Sequence, residues 1–210
     1  MKYDTVIFDL DGTLLDTLGD LTGAVNNALS RFSFSPLDRE GVRCRIGDGL
    51  LKLMQRCFPD GTDDETIRAS MQQFRTYYAE HLFDTTVPYP NMPLIVSTLK
   101  SAGVRMAVAT NKDEFLAKRL TERFFKDCFS STCGMCDGRS RKPARDIPLA
   151  ALAAVEKPGR VLFVGDSHTD FLTAKECGFD FLGVSWGYGD CTGGVYTAEK
   201  TEQLLKFILL

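Results

Sequence analysis

The stretch Val6-Ile7-Phe8-Asp9-Leu10-Asp11-Gly12-Thr13-Leu14 places two carboxylates directly after an apolar run. Such a run predicts a buried strand, and the Gly-Thr step predicts that the chain turns there. Because side chains alternate faces along a strand, Asp9 and Asp11 should point the same way. Two like charges held together cost stability unless a cation or a shared proton offsets them. Ligands bind at the carboxyl ends of parallel strands, so this acidic pair marks a candidate site.

The composition narrows the class of protein. A chain of 210 residues suits one core with a smaller insert. The formal net charge is −3, with acids and bases interspersed, so the chain lacks the basic stripe that nucleic-acid binding requires. No apolar run approaches the roughly 20 residues of a membrane span. We therefore expect neither nucleic acid nor a membrane as a partner.

The cysteines and the N-terminal sequence bear on cellular location. Seven cysteines are scattered along the chain, and the first residues show no signal-peptide pattern. This combination predicts reduced thiols and a cytoplasmic protein. Cys133 and Cys136 form a lone Cys-x-x-Cys pair without a second pair or a histidine close by. A zinc site needs four ligands, so the spacing is interpreted as incidental.

The segment 16–84 differs in character from the rest of the chain. Apolar residues recur there at helical spacing, for example at Leu18, Leu21 and Val25, and again along a helix predicted to start near Asp63 and to include Leu82. No strand pattern occurs in this segment. We therefore predict two domains: an α/β core from residues 1–15 and 85–210, and a helical cap from residues 16–84.

Strands and helices alternate after residue 85. Strands are predicted at 104–109, 161–164 and 181–186, with a further short strand at 128–131. Helices are predicted between them and at the end of the chain. This alternation favours an α/β fold, a Rossmann-like parallel sheet with helices on both faces and the helical cap inserted after the first strand.

Polar residues follow these predicted strands in an order that resembles a known family. The segment 8–14 resembles the first motif of the haloacid dehalogenase superfamily, and Thr110 stands where the second motif has its hydroxyl. Lys142-Pro143 resembles the third motif, and Gly165-Asp166-Ser167-x-x-Asp170 the fourth. Each motif is a weak signal alone, but four of them in the right order and context are hard to explain by chance. The resemblance covers essentially the whole chain.

Further details resemble the phosphoglycolate phosphatases of that superfamily. They include Gly47-x-Gly49 in the cap, Pro88-Tyr89-Pro90 where the chain returns, and Gly183-Val184-x-Trp186-Gly187-Tyr188-Gly189. Three departures exist: Asn91 replaces a usual glycine, a second proline is missing after Lys142-Pro143, and the loop 133–141 is unusually basic. The resemblance implies a Mg²⁺-dependent phosphatase that forms an aspartyl-phosphate, acts on a small phosphorylated metabolite and exists as a monomer or homodimer.

The resemblance also assigns roles to residues. Asp9 is the nucleophile, Asp11 the acid and base, and Thr110 and Lys142 complete the catalytic set. The Mg²⁺ ligands are Asp9, Asp166 and the backbone carbonyl of Asp11, while Asp170 either binds the ion through water or orients Lys142. Thr110 and the backbone N–H of Asn111 are expected to hold a phosphoryl oxygen.

The cap loop 45–49 is expected to select the substrate. Gly47 and Gly49 would let backbone N–H groups approach a ligand closely, and Arg45 would pair with a substrate carboxylate. Phosphoglycolate is the substrate that this interpretation favours.

Several alternatives stay open at this stage. The same core could act on pyrophosphate or a sugar phosphate, or it could serve a phosphosugar mutase. A dehalogenase is disfavoured because it does not need an acid at position 11. A binding module without activity is also disfavoured, because all the motif residues are retained.

Overall fold

The computed structural model describes residues 2–47, 49–190 and 197–210. It divides into two compact units, one comprising Met1–Leu15 and Pro88–Leu210 and the other Asp16–Val87. The second connection between them therefore lies a few residues later than the sequence places it, after residue 87 instead of 84. Asp48, which belongs to the predicted substrate-selecting loop, is outside the described residues.

The elements follow one another along the chain in the order β1 (Thr5–Phe8), β2 (Leu15–Asp16), α1 (Leu18–Arg31), α2 (Arg39–Arg43), α3 (Leu50–Cys57), α4 (Asp64–Glu80), β3 (Val87–Pro88), α5 (Met92–Ser101), β4 (Arg105–Asp113), α6 (Glu114–Phe125), β5 (Ser131–Met135), α7 (Asp146–Ala153), β6 (Val161–Gly165), α8 (His168–Cys177), β7 (Asp180–Val184), β8 (Thr197–Ala198) and α9 (Gln203–Leu209).

The first unit contains a parallel sheet with strand order β5-β4-β1-β6-β7-β8. Strand β1 lies in the middle, with Phe8 beside Val108 of β4 and Val164 of β6. All four residues of β1 are buried, as expected for a parallel strand covered on both faces. The predicted fold class is confirmed, and the carboxyl ends of β1, β4 and β6 meet at one edge of the sheet.

Apolar side chains hold helices against both faces of this sheet. On one face, Ile7 and Phe163 belong to a buried cluster that includes Ile147 of α7 and Ala174 of α8. On the other face, the ring of Phe8 lies 6.2 Å from that of Phe129, which in turn contacts Phe125 of α6. Burying each such large side chain contributes about 1.5–3 kcal/mol, so the strand ends are held by a well-packed core.

The second unit consists of α1 to α4, which contact one another along apolar stripes. Helix α4 begins after its N-cap Asp63, as the sequence predicts, but it ends at Glu80, so Leu82 lies beyond the helix. Asp20 of α1 is buried and accepts hydrogen bonds from the backbone N–H and the hydroxyl of both Thr85 and Thr86, at 2.6–3.0 Å. This carboxylate fixes the last residues of the unit to its first helix.

The short strand predicted at 128–131 is wrong, because β5 begins only at Ser131 and continues to Met135. The true strand contains Gly134 and one cysteine, Cys133, and it lacks the β-branched run that marks a strand in sequence. A Cβ at Gly134 would come within 2.5 Å of the Lys112 carbonyl oxygen, so close approach to β4 requires glycine there.

Three very short strands were also missed. β2 and β3 pair in a separate two-stranded sheet where the chain passes between its two units, and β8 adds to the edge of the main sheet. Strand β7 ends at Val184, two residues before the predicted end. Strands of two residues are too short for an alternating pattern, which explains why the sequence does not reveal them.

The described part of the chain contains free cysteines and no helix that could span a membrane. The six described cysteines are free thiols, with Cys133 buried in β5 and Cys136 exposed. No helix in the described ranges has both the length and the apolar character that crossing a membrane demands.

Candidate active site

Three buried carboxylates meet at the carboxyl edge of the sheet. Asp9 follows β1, Asp166 follows β6, and Asp170 lies in the first turn of α8. Each offers an oxygen, and these oxygens all lie within 4.8 Å of one another. The parallel register of β1 with β6 brings the first two together, as their positions in the sequence predict.

Lys142 supplies a positive charge to this cluster. Its Nζ donates to Asp9 Oδ1 at 2.8 Å, to Asp170 Oδ1 at 2.7 Å and to the Ala109 carbonyl at 2.9 Å. The backbone of Lys142 is held by the side chain of Asn111, which accepts from its N–H at 2.7 Å and donates to its carbonyl at 3.1 Å. Asn111 was predicted only as a backbone donor to substrate, and its side chain has this additional positioning role.

Asp166 is held by donors on both of its oxygens. Thr13 Oγ1 donates to Oδ1 at 3.2 Å, while the N–H groups of Tyr188 and Gly189 donate to Oδ2 at 2.7 and 3.0 Å. A Cβ at Gly187 would come within 2.3 Å of Oδ2, so a glycine is required for this loop to reach the carboxylate. The contact of this glycine-rich segment with Asp166 was not predicted from the sequence.

Asp170 has protein partners on both carboxylate oxygens. Oδ1 accepts from Lys142, and Oδ2 accepts from the backbone N–H of Ser167 at 3.1 Å and from its hydroxyl at 2.6 Å. Together with the bond from Asp170 N to Ser167 Oγ, these contacts form the capping box of α8. Of the two roles left open by the sequence, this arrangement favours the orientation of Lys142.

A second lysine, Lys112 of β4, lies between Thr110 of the same strand and Asp11, which follows β1 by three residues. Lys112 Nζ contacts both carboxylate oxygens of Asp11, at 3.0 and 3.1 Å. Thr110 is buried and its Oγ1 accepts from the N–H of Lys112 at 3.2 Å. No role was predicted for Lys112 from the sequence, although it lies only two residues after Thr110.

The electrostatics of the cluster follow from its charge. Burial raises the pKa of Asp9 to about 8; Lys142 opposes this shift, and Asp170 and Asp166 add to it. Burial likewise raises the pKa of Asp166 to about 6, with a further contribution from Asp170. Burial alone would lower the pKa of Lys142, but Asp170 and Asp9 together raise it above its ordinary value. Three carboxylates thus face one ammonium, which leaves two formal negative charges in excess.

The donor set and its charge fit a hard divalent cation. Mg²⁺ binds carboxylate and carbonyl oxygens, and its two positive charges equal the formal excess of the cluster. Burial is the main cause of the raised pKa of Asp9, and the negative charges of Asp170 and Asp166 add to it, which a bound cation would offset.

The predicted cap residues belong to the second unit. Arg45 follows α2 and donates from Nη1 to the Gly41 carbonyl at 2.5 Å and from Nε to the Arg56 carbonyl at 2.8 Å. Gly47 and Gly49 have φ angles of 131° and 83°, in the region that favours glycine. Arg45 therefore ties α2 to the end of α3, and its role towards a substrate stays a prediction.

Comparison with known proteins places this site in a family. The family model described as haloacid dehalogenase-like hydrolase matches residues 6–184. The chain belongs to the haloacid dehalogenase-like hydrolase family. The match includes the segments that supply all the carboxylates of the site.

Individual relatives are similar over most of their length. The chain is 36% identical to the phosphoglycolate phosphatase of Neisseria meningitidis serogroup A over 196 residues, which cover 89% of this chain and 82% of the relative. It is 35% identical to the phosphoglycolate phosphatase of Caulobacter vibrioides over 189 residues, covering 88% and 80%. These similarities identify the chain as an enzyme of the phosphoric monoester hydrolase type.

Solved structures share the fold across the whole chain. A candidate phosphoglycolate phosphatase from Lactobacillus delbrueckii subsp. bulgaricus has a TM-score of 0.93 at 27% identity, with 99% of each chain covered. A predicted phosphoglycolate phosphatase from Haemophilus somnus has a TM-score of 0.88 at 27% identity and covers 99% of this chain and 98% of its own.

Proposed function

We propose that this chain hydrolyses phosphoglycolate to glycolate and inorganic phosphate, with Mg²⁺ as cofactor and an aspartyl-phosphate on Asp9 as intermediate. The observation that carries the proposal is the cluster of Asp9, Asp166 and Asp170 against the single ammonium of Lys142. The names of the relatives support the choice of substrate. A cytoplasmic location is part of the same proposal and agrees with the free thiols.

Asp9 and Asp166 would hold the ion, together with the backbone carbonyl of Asp11. Mg²⁺ would supply charge neutralisation to the anionic phosphate and its anionic nucleophile. Asp170 would keep its contact with Lys142 and affect the ion only indirectly, because both of its oxygens already have protein partners.

The first half-reaction transfers the phosphoryl group to the protein. A carboxylate oxygen of Asp9 attacks phosphorus, and the bond from phosphorus to the glycolate oxygen breaks. Asp11 gives its proton to that leaving oxygen. Lys142 and the hydroxyl of Thr110 stabilise the charge that spreads over the phosphoryl oxygens.

The second half-reaction returns the protein to its starting state. Asp11, now ionised, takes a proton from a water molecule, and the resulting hydroxide attacks phosphorus. The bond between phosphorus and Asp9 breaks, inorganic phosphate leaves, and Asp9 is again a carboxylate. Asp11 is protonated once more, so protons and phosphoryl groups balance over the cycle.

The second unit is proposed to provide substrate selectivity. The residues at the sheet edge act on the phosphoryl group and leave glycolate to be recognised by another part of the chain. Arg45, Gly47 and Gly49 lie in one loop whose positive φ angles keep the backbone accessible to a small ligand. An arginine at this loop suits the carboxylate of phosphoglycolate.

The test is to measure release of inorganic phosphate from phosphoglycolate, from pyrophosphate and from a panel of sugar phosphates. We expect the highest kcat/KM for phosphoglycolate, loss of activity with excess chelator, recovery with Mg²⁺ and inhibition by Ca²⁺, which prefers more ligands and looser geometry. Acid quenching during turnover of phosphoglycolate that is labelled on its phosphoryl group should leave label on the wild-type protein.

Each part of the proposal has its own opposing result. Full activity in excess chelator contradicts metal dependence, and a higher kcat/KM for a sugar phosphate contradicts the assigned substrate. Isomerisation of a phosphosugar without release of phosphate indicates a mutase. Absence of labelled protein during rapid turnover contradicts the aspartyl-phosphate.

A further inference from the structure

We propose that Lys112 is a positioning residue for Asp11: it holds the Asp11 carboxylate in the direction from which it exchanges a proton with the leaving oxygen. This inference rests on the proposed function, since it concerns the acid of that reaction. Lys112 transfers no proton in this scheme, while Asp11 gives one proton to the leaving group and later takes one from water.

The contact between the two residues restricts the orientation of Asp11. Lys112 Nζ lies 3.0 Å from Oδ1 and 3.1 Å from Oδ2 of Asp11, so both oxygens share the same donor. A carboxylate held through both oxygens loses much of its freedom to rotate about χ2. A general acid is effective only when it is aimed at the atom that receives its proton.

The place of Lys112 on β4 connects Asp11 to the phosphoryl-binding residue. Lys112 and Thr110 are two residues apart, and the Lys112 N–H donates to Thr110 Oγ1 at 3.2 Å. The strand end therefore fixes the position of Asp11 relative to the hydroxyl that is proposed to hold the phosphoryl group.

The burial of the pair points to function in preference to simple stabilisation. The side chain of Lys112 is only 4% exposed, whereas that of Asp11 is 19% exposed. A carboxylate with this much access to water does not need a buried lysine to offset its charge, but the lysine loses hydration on burial. Burial of the Lys112 ammonium therefore costs stability, and we attribute this burial to the positioning of Asp11.

The two lysines of the site serve different carboxylates. Lys142 contacts Asp9 and Asp170 at the buried centre of the cluster. Lys112 contacts Asp11, which is half-buried. Loss of Lys142 should therefore affect the nucleophile, whereas loss of Lys112 should affect proton transfer.

The experiment combines Lys112→Met with Asp11→Asn and uses two substrates. Phosphoglycolate has an alkyl leaving group that needs a proton, whereas p-nitrophenyl phosphate has a leaving group that departs without one. We expect Lys112→Met to lower kcat for phosphoglycolate about 10- to 100-fold and kcat for the aryl phosphate less than about 3-fold. In the Asp11→Asn background, Lys112→Met should change kcat for phosphoglycolate by less than about 3-fold, because it acts through Asp11.

Two further variants separate positioning from loss of charge. Lys112→Arg keeps the positive charge and two-point contact, and it should restore part of the lost kcat on phosphoglycolate. Lys118→Met is the matched control, because Lys118 also pairs with a carboxylate, Glu114, at 2.6 Å on the surface of α6. It should leave kcat for both substrates unchanged.

The possible results separate this inference from other roles of Lys112. Equal losses on both substrates indicate a structural role and overturn the proposal. An independent loss of phosphoglycolate turnover in the Asp11→Asn background indicates that Lys112 binds the substrate carboxylate, which also overturns it. A wild-type protein without phosphatase activity overturns the proposed function itself, and that result is distinct from both.

Discussion

Two buried aspartates, Asp20 in the second unit and Asp9 in the first, show how differently one fold treats the same side chain. Asp20 accepts four hydrogen bonds from the backbone and hydroxyl groups of Thr85 and Thr86. Asp9 shares the ammonium of Lys142 with Asp170 and lies close to Asp166. The first carboxylate is satisfied by neutral donors, whereas the second remains short of positive charge.

This difference separates a structural acid from a functional one. Four hydrogen bonds from neutral donors offset the burial of Asp20, so this side chain contributes to the packing of the second unit. Burial and the neighbouring carboxylates raise the pKa of Asp9 to about 8, so its ionised form destabilises the metal-free fold. A substitution to asparagine should therefore act in opposite ways at the two positions.

The largest expected effect is that of Asp9→Asn on turnover. An amide is a poor nucleophile towards phosphorus, so kcat/KM for phosphoglycolate should fall more than about 100-fold, or about 3 kcal/mol. The free energy of unfolding of the metal-free protein should stay the same or rise. Steady-state kinetics and urea unfolding measure the two quantities. Retention of more than about 1% of wild-type activity contradicts the role of Asp9 as nucleophile.

Asp20→Asn should show the reverse pattern in the free energy of unfolding. The new amide group cannot accept from the donors that now face one carboxylate oxygen, and bonds to a charged acceptor are each worth about 1.5–3 kcal/mol. We expect a loss of about 2–4 kcal/mol in urea unfolding. If Asp20→Asn and Asp9→Asn change the free energy of unfolding by the same amount and sign, the distinction between the two acids is wrong.

Arg45→Ala tests whether Arg45 binds the substrate or only stabilises the second unit. If Arg45 binds the substrate carboxylate, it should contribute about 1.5–3 kcal/mol to kcat/KM for phosphoglycolate and much less for an aryl phosphate. As a tie between Gly41 and Arg56 alone, it should lower only the free energy of unfolding. Arg75→Ala, at an exposed position of α4, is the control. Equal changes in kcat/KM for both substrates contradict the proposed reading of the carboxylate.

The last expected effect is a slope of the stability of the metal-free protein with pH. The ordinary pKa of 3.8 rises in the fold to about 8 for Asp9 and to about 6 for Asp166. From pH 3.8 up to each raised pKa, the folded state binds a proton that the unfolded state has released. The free energy of unfolding of the metal-free protein therefore falls as pH rises. Each proton contributes at most about 1.4 kcal/mol per pH unit.

Urea unfolding of chelator-treated protein from pH 4 to pH 8 measures this slope. The double variant Asp9→Asn with Asp166→Asn should flatten it, and Mg²⁺ should raise the free energy of unfolding most at the upper end of the range. A free energy of unfolding that rises steadily with pH in the metal-free wild type is the opposite result, and it would show that positive charge already balances the cluster.

The sequence predicted the parts of this molecule that depend on strand order. Apolar runs ending in polar residues located β1, β4 and β6, and parallel pairing then required Asp9, Thr110 and Asp166 to meet at one edge of the sheet. Strand β5 (Ser131–Met135) was misplaced, because glycine at position 134 is required by the close approach of the Lys112 carbonyl and leaves no hydrophobic pattern.

Contacts made by the backbone or by one particular side-chain orientation were beyond the reach of the sequence. The N–H groups of Tyr188 and Gly189 bind Asp166 because their loop reaches the end of β6, and any residue type could supply them. The contact of Asn111 with the backbone of Lys142 depends on two segments that meet only in the fold. Lys112 lies close to Thr110 in the sequence, but its partner Asp11 lies in the turn after β1, 101 residues earlier.

The clamp of Asp20 on Thr85 and Thr86 has an evolutionary consequence. It holds the entry and the exit of the segment 16–87 together, so this segment forms a closed cassette whose two ends occupy nearly the same place. A cassette with paired ends can be lengthened, shortened or exchanged without changing the distance that the surrounding chain must span. The segment 16–87 can thereby change in length or sequence without moving the ends to which the α/β unit is joined.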